Sequence, residues 1–211
     1  MKALIVSGGN PPSYELLKDK LENSDLIIGV DRGCDVLYKY KIRPDYILGD
    51  FDSANLSSLN YFDKLGVDKI KLKREKDDTD SKVALDFAIS KGAKYITFLG
   101  AIGTRLDHTL GNLGLMFQGL EKGILVIIED EYNKVFLTKE NIKIKGEKGQ
   151  IVSFKAYSGL VKNLTIKGAK YELNNYNLNI EDGITTSNEF IGEEIELYFD
   201  SGILMILYSK D

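Results

Sequence analysis

Through the first 130 or so residues, short apolar runs alternate with stretches of helical periodicity. Residues 3–6, 26–30, 46–48, 69–72, 95–99 and 124–128 are rich in β-branched and aromatic side chains and most end in Gly or Asp, as buried strands do. The spacing between them predicts helices near 13–22, 33–41, 54–64, 80–91 and 107–121. Parallel neighbours in a sheet need a long connection, so this alternation predicts a parallel sheet with crossover helices, a Rossmann-like α/β domain spanning 1–130.

From about residue 134 the period changes to two. Ile142-Lys143-Ile144-Lys145 alternates cleanly, as does Glu194-Ile195-Glu196-Leu197, and Asp200-Ser201-Gly202 separates two apolar runs as a hairpin loop would. Glycines punctuate this half at the spacing of short antiparallel strands. The pattern places a boundary near Glu129 to Lys134 and predicts a second domain, an antiparallel β-sandwich spanning 134–211.

Composition narrows the function. With 211 residues, 43% of them hydrophobic and 28% charged, the chain has the material for a packed core. A net charge of −4 argues against nucleic acid as a partner, because proteins that grip many phosphates carry a basic face. Cys34 is the only cysteine, which excludes an intrachain disulfide and a cysteine-based zinc site and makes the cytoplasm the expected compartment. The apolar start at residues 1–6 breaks at Ser7-Gly8-Gly9-Asn10-Pro11, too soon for a signal sequence, and reads as a buried first strand. No run approaches the roughly 20 apolar residues that cross a bilayer, so no membrane partner is expected.

The acidic residues fall in a pattern. Asp31 follows the second expected strand, Asp50 and Asp52 the third, Asp77, Asp78 and Asp80 the fourth, and Arg105, Asp107 and His108 the fifth. Loops after parallel strands converge at one edge of the sheet, where ligands bind. Crowded carboxylates at that edge are costly without a cation, and hard oxygen ligands suit Mg2+ with a polyphosphate completing its shell. No GxxxxGK[ST] loop is present and no full GxGxxG follows the first strand, so Gly100 to Arg105 is the candidate phosphate-binding loop. Taken singly, the same residues have plainer roles. Asp52 or Ser53 would cap a helix starting near Ala54, Thr79 or Asp80 would cap the next, and His108 would open a third. Cys34 reads as a small buried side chain, and Lys73, Arg74 and Lys76 as a solvated basic loop.

Asp31-Arg32-Gly33, Pro44 to Ser53 (PDYILGDFDS), Asp77-Asp78-Thr79-Asp80, Gly103 to Asn112 (GTRLDHTLGN) and Thr186-Ser187-Asn188-Glu189 together resemble the ordered motif series of the thiamine pyrophosphokinase family. Each motif alone is weak, whereas the ordered set spans most of the chain. The resemblance implies an ATP- and magnesium-binding α/β domain, a β-sandwich that helps to bind thiamine, and a homodimer with thiamine held between subunits. It implies that Asp50, Asp52 and Asp80 serve the metal and the phosphates. It places Asp31, Asp77, Thr79, Arg105, Asp107, His108 and Asn112 in the nucleotide pocket, and Ser187 and Asn188 on thiamine's pyrimidine ring. Some relatives place a tryptophan near thiamine; this chain has none, so the stacking would come from Tyr or Phe, for example Tyr171 or Tyr176, or be weaker. Two other readings are a pyrophosphokinase acting on another hydroxymethyl acceptor, such as a pterin, and a nucleotide-binding module without turnover.

Overall fold

The computed structural model describes residues 1–73 and 78–211, and the chain divides into two compact units, Met1–Glu131 and Tyr132–Asp211. The first unit runs β1 (Lys2–Val6), α1 (Tyr14–Leu21), β2 (Leu26–Val30), α2 (Gly33–Lys39), β3 (Tyr46–Gly49), α3 (Leu56–Lys64), β4 (Asp68–Lys71), α4 (Asp80–Ser90), β5 (Tyr95–Leu99), α5 (Leu106–Glu121) and β6 (Leu125–Glu129). All its strands pair in parallel, in the order β4-β3-β2-β1-β5-β6. The central strands are continuous apolar runs because helices cover both faces; Leu4, Ile5, Val6, Ile28 and Val30 are buried. The edge strand β4, Asp-Lys-Ile-Lys, carries charge and has no fully buried residue. Leu17, Leu37, Phe62 and Val67 pack with Leu4, Val6 and Leu99 into the core beneath α1, α2 and α3.

Helix starts follow local chemistry. Ser13 caps α1 by accepting from the Leu16 N–H at 3.1 Å, and Thr79 caps α4 by accepting from the Lys82 N–H at 3.3 Å. Helix α3 begins at Leu56, later than its sequence pattern suggests, so neither Asp52 nor Ser53 caps it. Its first turn is held instead by Asp35, whose Oδ1 accepts from the Asn55 N–H at 3.0 Å and from the Ser58 hydroxyl.

The second unit comprises β7 (Asn133–Thr138), β8 (Ile142–Lys145), β9 (Ile151–Ala156), β10 (Val161–Lys167), β11 (Leu173–Leu178), β12 (Asn188–Glu189), β13 (Glu194–Tyr198) and β14 (Leu204–Ser209). These form two antiparallel sheets, β7-β14-β9-β12 and β8-β13-β10-β11. Period-two burial, with Val152, Phe154 and Ala156 on one sheet and Ile195 and Leu197 on the other, gives each an inner face of a β-sandwich. Asp200-Ser201-Gly202 does not close a hairpin. β13 pairs with β8 and β10 whereas β14 pairs with β7 and β9, so this turn carries the chain from one sheet to the other. Two alternating runs around a glycine look the same in sequence whether the strands pair or part.

Candidate active site

Strands β1 to β4 step outward on one side of β1, and the chain then returns to place β5 on the other side. The carboxyl ends of β1 and β5 therefore flank a topological switch point, where an open α/β sheet leaves a crevice. Two loops line it in close contact. The Gly9 N–H donates to the Gly100 carbonyl at 2.7 Å, and the Asn10 N–H to the Ile102 carbonyl at 2.8 Å. A Cβ on Gly9 would come within 2.4 Å of the Ile102 oxygen, so only glycine lets these loops meet. The result is a cavity of about 580 Å³ lined by the segments that follow β1, β2, β3 and β5 and by the starts of α4 and α5.

Asp31, Thr79, Asp80, Arg105, Asp107, His108 and Asn112 all line this cavity. Asp50 and Asp52 are not among the described residues that line it, although Ser53, next in the chain, is. Asp50 still acts on Asp31 electrostatically, and its Oδ1 accepts from the Asp52 N–H at 3.0 Å. Asp77 lies outside the described residues.

Asp31 is the most perturbed acid of the cavity. Burial, then the charges of Asp80 and Asp50, push its carboxyl up to about 7, against the pull of the Phe51 N–H. Its Oδ1 is buried without a hydrogen-bond partner. The backbone here is left-handed at two side-chain-bearing residues, Asp31 and Phe51, with φ of 46° and 61°. Among the described residues, no three carboxylate, imidazole or thiol side chains are already gathered as a metal ligand set. The donor chemistry nonetheless fits a hard divalent cation, because three carboxylates repel one another around Asp31 and a phosphate would complete the ion's shell.

The opposite wall is built by α5. Arg105 donates from Nε and Nη2 to Asp107 at 3.2 and 2.6 Å, and each side chain is about two-thirds exposed, at 68% and 65%. The pairing holds Asp107 below the usual carboxylate range and raises Arg105 further, yet so exposed an ion pair is readily exchanged for an anionic ligand. Asn112, one turn further along α5, donates from Nδ2 to the Ala101 carbonyl at 2.7 Å and so ties the Gly100–Arg105 loop to the helix. Backbone N–H groups at the start of α5 add a fixed partial positive charge.

Ser187 and Asn188 belong to the second unit. Ser187 has φ of 55°, and its N–H donates to Ser153 Oγ at 2.9 Å. Asn188 is 1% exposed and bonds both ways with the Tyr171 backbone. Tyr171 is 56% exposed, whereas Tyr176 is half-buried in β11.

Sequence reasoning missed Ser7, Gly8, Gly9, Arg32 and Ser81 as cavity residues. The signal for the first three was a Gly-Gly pair directly after a strand, which a search for the full dinucleotide fingerprint passes over. Ser81 follows Asp80 on the first turn of α4, where a serine reads as ordinary helix surface.

A parallel sheet with an acid-rimmed crevice, a glycine-built loop pair and a helix N-terminus facing it defines an α/β enzyme that handles a polyphosphate. Residues 17–128 match the model of the thiamin pyrophosphokinase catalytic domain, and residues 139–204 that of the thiamin pyrophosphokinase vitamin B1 binding domain. The chain belongs to the thiamin pyrophosphokinase family. The thiamine pyrophosphokinase of Bacillus subtilis (strain 168) is 33% identical over 209 residues, which are 98% of each sequence. A crystal structure of thiamine pyrophosphokinase from Bacillus subtilis matches 100% of both chains with a TM-score of 0.90 and 32% identity. Thiamin pyrophosphokinase from Candida albicans, at 17% identity, shares the fold with a TM-score of 0.85 over 99% of this chain and 90% of its own.

Proposed function

We propose that the first unit binds ATP and Mg2+ in the switch-point cavity and that the second unit contributes the thiamine site. The reaction is transfer of the pyrophosphoryl group of ATP to the hydroxyl of thiamine, giving thiamine diphosphate and AMP. The observation that supports this most is the meeting of Asp31 and Asp80 with Arg105, His108 and the two apposed loops in one cavity.

The thiamine hydroxyl oxygen attacks the β-phosphorus of ATP in line. Phosphoryl-type transition states are loose, so positioning and charge neutralisation outweigh deprotonation of the alcohol. Asp50, Asp52 and Asp80 would hold Mg2+, with Asp31 beside them, and the ion would neutralise charge on the triphosphate. Arg105 exchanges Asp107 for phosphate oxygens. The start of α5, with His108, lies along the nucleotide, and Thr79 fixes the turn that presents Asp80. Asn112 keeps the Gly100–Arg105 loop in shape. Ser187 and Asn188 serve the pyrimidine ring of thiamine. The protein acts as a cytoplasmic homodimer with thiamine held between subunits; the family resemblance is the support for that.

Incubating the purified protein with ATP, Mg2+ and thiamine and weighing the products tests the reading. Thiamine diphosphate and AMP are expected. Thiamine monophosphate with ADP, or product only with a pterin acceptor, would overturn it.

A further inference from the structure

We propose that Arg32 is a specificity-determining residue: its guanidinium grips the terminal phosphate of the nucleoside triphosphate and so selects a donor able to hand over a pyrophosphoryl group. This rests on reading the cavity as the ATP site.

The root of Arg32 is fixed while its tip is uncommitted. A Cβ on Gly33 would stand 1.9 Å from the Val6 carbonyl oxygen, and one on Gly8 3.0 Å from Arg32 Cβ, so these two glycines let the start of α2 press against the end of β1. The Arg32 carbonyl accepts from the Asp35 N–H at 3.0 Å. Beyond this packed root the residue is exposed and lines the cavity. Among the described residues its guanidinium makes no hydrogen bond and no ion pair, although Asp31 and Asp80 line the same cavity. Arg105, by contrast, is engaged with Asp107. A guanidinium presents several N–H donors in a rigid planar fork that matches phosphate oxygens. Held at its base and unpaired at its tip, Arg32 offers that fork to an anion entering the cavity.

Strand order decides which end of the anion it meets. β2 and β5 pair with opposite sides of β1. The chain after β2, with Arg32, and the chain after β5, leading to Arg105, are thus two strand spacings apart, about 10 Å. Gly8 and Gly9, which follow β1, lie between them. A polyphosphate crossing the end of β1 meets one guanidinium at each end. The nucleoside lies along α5, at the Arg105 end, so Arg32 receives the phosphate farthest from it. Attack at the β-phosphorus carries the γ-phosphate across with the transferred group. A grip on the γ-phosphate therefore orients the group that moves, and ADP has nothing to place there.

Equilibrium titration of wild type, Arg32→Gln and Arg32→Lys with ATP and with ADP, each with Mg2+ and without thiamine, tests the proposal. Wild-type protein should bind ATP more tightly than ADP. Arg32→Gln should weaken ATP about 10- to 100-fold, the worth of a charge-assisted phosphate contact, and leave ADP within about twofold. Arg32→Lys keeps the charge without the fork and should fall between. Equal losses for ATP and ADP, or no loss for either, would overturn the proposal. Product analysis of the wild type keeps the two readings apart: an active enzyme whose Arg32→Gln form still prefers ATP defeats only this inference, whereas a wild type that makes no thiamine diphosphate defeats the functional reading.

Should Arg32→Gln not fold, the wild type itself provides the measurement. Phenylglyoxal modifies exposed arginines, and the mass of the peptide containing Arg32 reports its labelling. ATP with Mg2+ should shield Arg32 and ADP with Mg2+ should leave it reactive. Equal shielding by both, or by neither, would refute the contact.

Discussion

The Asp31 carboxylate lies flush against the bare α-carbon of Gly49: a Cβ built there would stand 1.9 Å from Asp31 Oδ1, on a backbone with φ of +151°. Both the space and the dihedral demand glycine. Gly49→Ala should therefore cost about 2–3 kcal/mol of stability and displace Asp31 from the cavity. Thermal melts and AMP release measure the two effects. Adding Asp31→Ala should recover part of the lost stability and none of the activity.

Asp80→Asn and Asp50→Asn should lower turnover by about 100-fold while leaving the fold intact. Asp80→Asn removes the largest neighbouring charge acting against the Asp31 carboxylate, so the metal-free variant should melt no lower than the wild type. Turnover against Mg2+ concentration is the measurement. Near-full activity of Asp80→Asn at limiting Mg2+ would contradict the assigned role, and chelation by EDTA should stop the wild-type reaction.

Asn112→Ala removes the bond that holds the Ala101 carbonyl to α5. A single neutral hydrogen bond is worth about 1 kcal/mol, so the melting temperature should fall slightly. The ATP KM should rise about tenfold as the Gly100–Arg105 loop relaxes, with the thiamine KM unmoved. Ser187→Ala should do the reverse, raising the thiamine KM and leaving ATP affinity alone; steady-state kinetics in both substrates separate the two.

Cys34 is fully buried, and burial, with the charges of Asp31 and Asp35, pushes its thiol up to about 12 from 9.0. The native protein should resist iodoacetamide at pH 8.5, while urea-unfolded chain reacts quickly. The sign of the linkage follows. The unfolded thiol loses its proton near pH 9.0 and the folded one only near 12, so stability should fall as pH rises across that window. Cys34→Ala should remove that part of the slope.

Strand–helix alternation made the first unit legible, because buried parallel strands must be continuous apolar runs and Leu4 to Val6 or Ile28 to Val30 cannot be read otherwise. The shared edge of Asp31, Asp80 and Arg105 was legible for the same reason, since loops after parallel strands converge, whereas the position of Asp50 and Asp52 outside the cavity lining was not. Pairing partners were not. The turn at Asp200 to Gly202 joins strands of different sheets because partner choice depends on inner-face packing, which period-two alternation does not encode. Gly9 was unreadable as a site residue because its role is to let two loops touch, a demand set by Ile102 more than ninety positions away in the chain. The occupied state of the Asn188 amide was equally hidden, since nothing in Ser187-Asn188 announces Tyr171.

Strand β14 is flanked on both sides, by β7 and by β9. During synthesis, β7 and β9 leave the ribosome with the slot between them vacant, and that sheet cannot assemble until residues 204–209 have emerged. A nascent chain stalled before Leu204 would display two unsatisfied strand edges, inviting aggregation or degradation. Completion of this sheet thereby waits on its last strand in the chain, because only β14 joins β7 to β9.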